Sequence, residues 1–132
     1  MSEIRVLLVD DNPTDRALLK AALRQLGVKE VQEAENGTIA LFKIKNNNDI
    51  RKAFSLFIID WKMPSLDGLG LLKQIRNEDQ TRHATVLMVS GNADKAFVKD
   101  AGHEGITDFL VKPFEPDLLL ERLGKVIKAA SK

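Results

Sequence analysis

The chain has 132 residues, of which 44% are hydrophobic and 30% are charged, a balance typical of one globular domain with a buried core. Its net charge of +1 argues against a broad nucleic-acid or membrane surface, and the absence of cysteine excludes disulfides and thiolate metal sites. The N-terminus lacks a signal-peptide pattern, and no apolar run approaches the roughly 20 residues of a membrane helix. We therefore expect a cytoplasmic protein with a single domain at 1–132.

The chain alternates between short apolar runs of strand type and segments with apolar residues at helical spacing. In chain order, the predicted elements are strand 4–9, helix 13–26, strand 29–34, helix 36–47, strand 55–60, helix 68–78, strand 85–91, helix 93–102, a short strand within 106–114 and helix 117–130. This alternation predicts an α/β fold with a parallel five-stranded sheet and helices on both faces.

Polar residues end four of the predicted strands. Asp10 and Asp11 follow the first strand, Asp60 ends the third, Ser90 the fourth and Lys112 the fifth. In a parallel α/β sheet, ligands bind outside the carboxyl ends of the strands, so we expect these groups to meet at one edge.

The adjacent carboxylates of Asp10 and Asp11 repel each other and are costly to bury without a cation. Carboxylates without thiolate or imidazole partners favour a hard divalent cation such as Mg²⁺. Asp60 could then attack phosphorus and form an acyl phosphate, while the cation and Lys112 stabilise the phosphoryl oxygens and Ser90 donates a hydrogen bond.

Four motifs at these strand ends resemble those of the receiver domain of bacterial response regulators, closest to the single-domain chemotaxis type. They are VDD, IIDWKMPSLDG, MVSGN and VKPF, and the resemblance covers residues 4–130. It implies a flavodoxin-like three-layer sandwich with strand order 2-1-3-4-5, for which the chemotaxis regulator is a known example.

The resemblance also implies the roles of the acids. Asp60 would accept a phosphoryl group from a phosphohistidine on a sensor histidine kinase or a histidine phosphotransfer protein. Asp10 and Asp11 would form the acidic pair of an Mg²⁺ site, with Asp11 as the direct ligand and the backbone carbonyl of Lys62 as a further one. Lys112 would pair with the phosphate.

The resemblance further implies a switch, with Ser90 as its hydroxyl and Phe109 as its aromatic residue. A downstream protein would bind the face formed by the fourth predicted helix, the fifth strand and the fifth helix. In the fourth predicted helix, the candidate contact residues are Phe97, Val98 and Lys99. The family usually has a cis peptide bond at the position of Lys112–Pro113.

Lys62 stands two residues after Asp60, at a position that varies in the family and is associated with hydrolysis of the acyl phosphate. We hypothesise that this lysine alters dephosphorylation. By contrast, Asp15 and Asp67 are predicted to be helix caps or turn residues, and the last helix is predicted to expose charges such as Arg122 and Lys125 to solvent.

The sequence also allows alternatives to a signalling switch that is not an enzyme. An aspartyl-phosphate hydrolase of the haloacid dehalogenase type would need an acid where Lys62 stands. A flavin mononucleotide electron carrier would have its phosphate repelled by Asp10 and Asp11. A constitutive interaction module would not need the acceptor residues. The chain is expected to be either a free-standing regulator or a receiver from a larger regulator or hybrid kinase.

Overall fold

A computed structural model of the chain describes residues 4–47, 49, 52–63, 66–91 and 105–131. In chain order, its elements are β1 (Arg5–Val9), α1 (Pro13–Gln25), β2 (Glu30–Ala34), α2 (Gly37–Lys45), β3 (Leu56–Asp60), α3 (Gly68–Asn77), β4 (Thr85–Ser90), β5 (Asp108–Val111) and α4 (Pro116–Ala130). The helix predicted at 93–102 lies outside the described residues, and the other predicted strands and helices are confirmed. None of the helices in the described ranges has the length and apolar content of a membrane-spanning segment.

The five strands form one parallel sheet in the order β2-β1-β3-β4-β5, as predicted. The register pairs Val9 with Ile59 and Asp60 with Val89. Because all the strands run the same way, the residues that follow β1, β3, β4 and β5 emerge at one edge of the sheet.

Side chains alternate between the two faces of each central strand, which gives the sheet two cores. In β1, Val6 and Leu8 pack on the face covered by α1 and α4, whereas Leu7 and Val9 pack on the face covered by α2 and α3. The result is the predicted three-layer sandwich. Burial of both faces explains why β1, β3 and β4 are almost continuously apolar.

Three local backbone features lie next to the carboxyl edge of the sheet. Asn12 caps α1 by accepting hydrogen bonds from the N–H groups of Thr14 and Asp15, and Pro13 opens the helix. Gly68 lies so close to the end of β3 that an added Cβ would be 2.8 Å from the carbonyl oxygen of Asp60. The Lys112–Pro113 peptide bond is cis, as expected.

Candidate functional site

Three carboxylates converge at the carboxyl edge of the sheet. Asp10 and Asp60 are buried, whereas Asp11 is exposed. One oxygen from each lies within 4.8 Å of the others, which is close enough for the three side chains to share one cation. The edge predicted from the strand ends is therefore where these acids meet.

Lys112 joins this group from the end of β5. Its Nζ lies 2.8 Å from Oδ2 of Asp10, 3.4 Å from Oδ2 of Asp60 and 2.9 Å from Oδ2 of Asp15. The first two partners are strand-end acids, whereas Asp15 belongs to the first turn of α1. Sequence reasoning treated Asp15 as a cap or turn residue and missed its contact with Lys112. The signal that could have found it is its position in the helical turn that directly follows Asp10 and Asp11.

Burial and neighbouring charges perturb both titratable groups that bridge the strands. Burial, followed by the negative charge of Asp10, raises the pKa of Asp60 from 3.8 to about 6, although Lys112 and the Lys62 N–H oppose this rise. Burial would lower the pKa of Lys112, but hydrogen bonds to Asp10 and Asp15 and the charges of Asp10 and Asp60 outweigh it and raise that pKa. Lys112 is therefore protonated at neutral pH, whereas the surroundings of Asp60 make its ionised form less favourable than it is in water.

Hydrogen bonds from the main chain and from Arg16 hold the acids in place. The N–H of Asn12 donates to Oδ1 of Asp10 over 2.9 Å, and Arg16 Nη1 donates to the Asp10 carbonyl over 2.6 Å. The N–H of Lys62 donates to Oδ1 of Asp60 over 3.4 Å, and the Lys62 residue is exposed. Each buried carboxylate thus keeps one oxygen turned toward the lysine.

The predicted switch residues lie on the two strands next to the acids. Ser90 is buried at the end of β4, and its carbonyl accepts a 2.8 Å hydrogen bond from the Lys112 N–H. Phe109 is half-buried in β5 and packs against the core on the α2 and α3 side of the sheet. Phe97, Val98 and Lys99 lie outside the described residues.

Two charges from α4 contact the start of β5. Arg122 is partly buried, which corrects the expectation that it faces solvent, whereas Lys125 is exposed as predicted. Arg122 Nη1 donates to Oδ1 of Asp108 over 2.7 Å and to the Phe109 carbonyl over 2.8 Å, and Lys125 Nζ lies 3.1 Å from Oδ2 of Asp108. Burial would raise the pKa of Asp108, but the Phe109 N–H, Lys125 and Arg122 outweigh it and lower that pKa. Arg122 thus ties the last helix to the backbone of Phe109.

Comparisons with known proteins identify the family of the chain. Residues 6–124 match the family model described as the response regulator receiver domain. The chain belongs to the response regulator receiver family. The chemotaxis protein CheY-3 of Vibrio cholerae is 35% identical over 125 residues, which cover 95% of this chain and 92% of that protein.

Solved receiver structures share the fold over nearly the whole domain. The chemotaxis protein CheY4 of Vibrio cholerae superposes with a TM-score of 0.81 at 31% identity, covering 94% of this chain and 98% of that one. The receiver domain of a sensor histidine kinase from Pseudomonas aeruginosa has a TM-score of 0.78 at 26% identity and covers 96% of this chain and 98% of that one. In that structure a magnesium ion is coordinated in the active site cleft. This receiver domain therefore belongs to the signalling proteins of two-component systems and resembles chemotaxis regulators.

Proposed function

We propose that this receiver domain is a phosphorylation switch in which Asp60 accepts a phosphoryl group. The supporting observation is the arrangement around Asp60, whose buried carboxylate lies among two further acids and the ammonium of Lys112. The donor is a phosphohistidine on a sensor histidine kinase or a histidine phosphotransfer protein, as is general for two-component signalling.

The donor set around Asp60 fits Mg²⁺. Its oxygens come from carboxylates, without thiolate or imidazole, which suits a hard divalent cation. The raised pKa of Asp60 points the same way, since burial and the neighbouring Asp10 make the negative charge of Asp60 unfavourable and a bound cation would offset that cost. Asp10, Asp11, Asp60 and the backbone carbonyl of Lys62 would hold the ion. When bound, the ion neutralises the acids and the phosphoryl oxygens.

The transfer uses the chain's own residues in the following roles. A carboxylate oxygen of Asp60 attacks phosphorus, the P–N bond to the donor histidine breaks, and its electron pair remains on the imidazole nitrogen, which takes up a proton. Lys112 donates to an equatorial phosphoryl oxygen, where its fixed charge stabilises the transition state. The product is an acyl phosphate on Asp60.

The new phosphate then changes the partner-binding surface. Ser90 donates a hydrogen bond to the phosphoryl group, and Phe109 rotates into the space that this movement vacates. The affected face combines the segment predicted as the fourth helix with β5 and α4, and its target is a downstream protein rather than nucleic acid or membrane. The single domain at 1–132 carries both the acceptor and this surface.

Acetyl phosphate and intact-mass measurement test the acceptor. In Mg²⁺, wild type should gain the mass of one phosphate, Asp60→Ala should gain none, and Asp79→Ala should behave as wild type because Asp79 is an exposed surface acid. Chelation by EDTA should abolish the gain. A phosphate gain in Asp60→Ala would contradict the proposal, and steady release of inorganic phosphate without a phosphoprotein would indicate the hydrolase alternative instead.

A further inference from the structure

The ammonium of Lys112 is fully occupied in this structure. A lysine ammonium has three N–H donors, and three carboxylates surround this one. Asp15 lies at 2.9 Å, nearly as close as Asp10 at 2.8 Å and closer than Asp60 at 3.4 Å. A phosphoryl oxygen that arrives on Asp60 can bind Lys112 only if one of these acids gives up its contact.

Asp15 is the acid that loses least by giving up the lysine. Its side chain is 22% exposed, compared with 2% for Asp10 and 8% for Asp60, so water can replace the ammonium at Asp15 most easily. Asn12 also fixes the backbone of Asp15, because its side chain accepts the Asp15 N–H. Asp15 therefore stays at the edge of the site while its partner moves.

Asp15 also stands apart from the acids that could share a cation. That group consists of Asp10, Asp11 and Asp60, and Asp15 is not a member. A change at Asp15 should therefore act through Lys112 and leave the binding of a divalent ion largely unaffected.

We propose that Asp15 is a positioning residue that competes with the phosphoryl group for Lys112 and thereby slows phosphorylation of Asp60. This inference rests on the proposed function. In the resting protein, Asp15 holds the ammonium toward α1. During transfer, a phosphoryl oxygen takes over the N–H that Asp15 releases, so the exchange reduces the net stabilisation that Lys112 gives to the transition state.

The test compares phosphorylation rates with acetyl phosphate at low donor concentration in saturating Mg²⁺. Asp15→Asn should be phosphorylated about 2–5 times faster than wild type, which is the change expected from a partly exposed ion pair. Asp15→Glu keeps the carboxylate and should stay close to the wild-type rate. The Mg²⁺ affinity, measured by titration without donor, should change by a smaller factor than the phosphorylation rate, because Asp15 lies outside the group of acids that could share the ion.

A control separates the contact with Lys112 from the loss of one carboxylate. The Asp79 side chain is 92% exposed and pairs only with Arg82 among the ion pairs of the described residues. Asp79→Asn should therefore leave the phosphorylation rate unchanged.

A double-mutant cycle identifies Lys112 as the mediator. In a Lys112→Ala background, which we expect to be phosphorylated slowly, Asp15→Asn should give no acceleration. If Lys112→Ala fails to fold, the ratio of Asp15→Asn to wild-type rates replaces the cycle. If Asp15 acts by direct contact with Lys112, this ratio should be the same at about 0.05 M and about 1 M salt. If Asp15 instead acts by long-range repulsion of the donor, salt screens the repulsion and the ratio should fall toward one.

The outcomes separate the two claims. An unchanged rate in Asp15→Asn, or an acceleration that persists in the Lys112→Ala background, would overturn the role of Asp15 while leaving Asp60 as the acceptor. Failure of wild type to gain any phosphate would overturn the proposed function, and the role of Asp15 with it.

Discussion

Replacement of Asp60 by asparagine should stabilise the metal-free protein at neutral pH. In the folded chain the pKa of Asp60 is raised from 3.8 to about 6, because the carboxylate is buried and lies beside Asp10. A difference of roughly two units corresponds to about 3 kcal/mol of unfolding free energy once the group is ionised. Asparagine has almost the same shape and does not ionise, so the variant avoids this penalty.

The sign of the pH dependence follows from the raised pKa. Between pH 3.8 and about 6, the folded chain holds the Asp60 proton more tightly than the unfolded chain does. The contribution of Asp60 therefore becomes less favourable as the pH rises through this window and is constant above it. The advantage of Asp60→Asn should grow from near zero at about pH 4 to about 3 kcal/mol at about pH 7.5.

Urea unfolding in EDTA at several pH values measures this advantage. Asp79→Asn is the matched control, because the Asp79 side chain is 92% exposed and should show no such pH-dependent gain. Addition of Mg²⁺ should stabilise wild type more than Asp60→Asn, since the ion compensates the clustered acids. Equal stability of the two proteins in EDTA at about pH 7.5, or an advantage that does not shrink in acid, would refute the reasoning.

Four further substitutions test the surroundings of the site and the fold that supports it. Gly68→Ala should destabilise the chain by about 1–3 kcal/mol, because its Cβ would lie 2.8 Å from the Asp60 carbonyl oxygen. In Gly124→Ala the added Cβ has no neighbour within 4 Å, and alanine favours a helix over glycine, so the unfolding free energy should rise by about 0.5–1 kcal/mol. If both variants had the urea midpoint of wild type, both predictions would be contradicted. Asp108→Asn should lower the melting temperature at neutral pH but not at acid pH, where Asp108 itself is protonated, because the Phe109 N–H, Lys125 and Arg122 outweigh burial and lower the pKa of Asp108. A loss of melting temperature that does not depend on pH would indicate an effect on packing instead. Lys62→Asn should tighten Mg²⁺ binding about 2–5-fold by removing a cation two residues from Asp60, and an unchanged affinity and phosphate lifetime would exclude a role for this side chain.

The convergence of the strand-end residues could be predicted because it depends on one geometric rule. Parallel strands deliver their carboxyl ends to one edge, so the order of apolar runs was enough to bring Asp10, Asp60 and Lys112 together. The same rule put Ser90 at this edge, and in the structure its carbonyl accepts a hydrogen bond from the Lys112 N–H. The alternation of strands and helices likewise predicted helices on both faces of the sheet.

The contacts made by the helices could not be predicted in the same way. Asp15 and Lys112 meet because the Lys112 side chain extends from the end of β5 to the first turn of α1, and Arg122 reaches Asp108 because α4 packs against β5. Helical periodicity gives the face of a helix that is buried, but not the position of its polar residues along a neighbouring strand. From the sequence alone, isolated charged residues on a helix are therefore interpreted as caps or solvated groups, and their contacts follow only from the packing.

Localisation of the phosphate tests the central claim most directly. After incubation with acetyl phosphate and Mg²⁺, sodium borohydride reduces an aspartyl phosphate to homoserine, which peptide mass spectrometry assigns to a position. The account predicts homoserine at position 60 alone, and only when Mg²⁺ is present. Homoserine at another aspartate, or equal labelling in EDTA, would contradict the claim that the clustered acids and a divalent ion make Asp60 the acceptor.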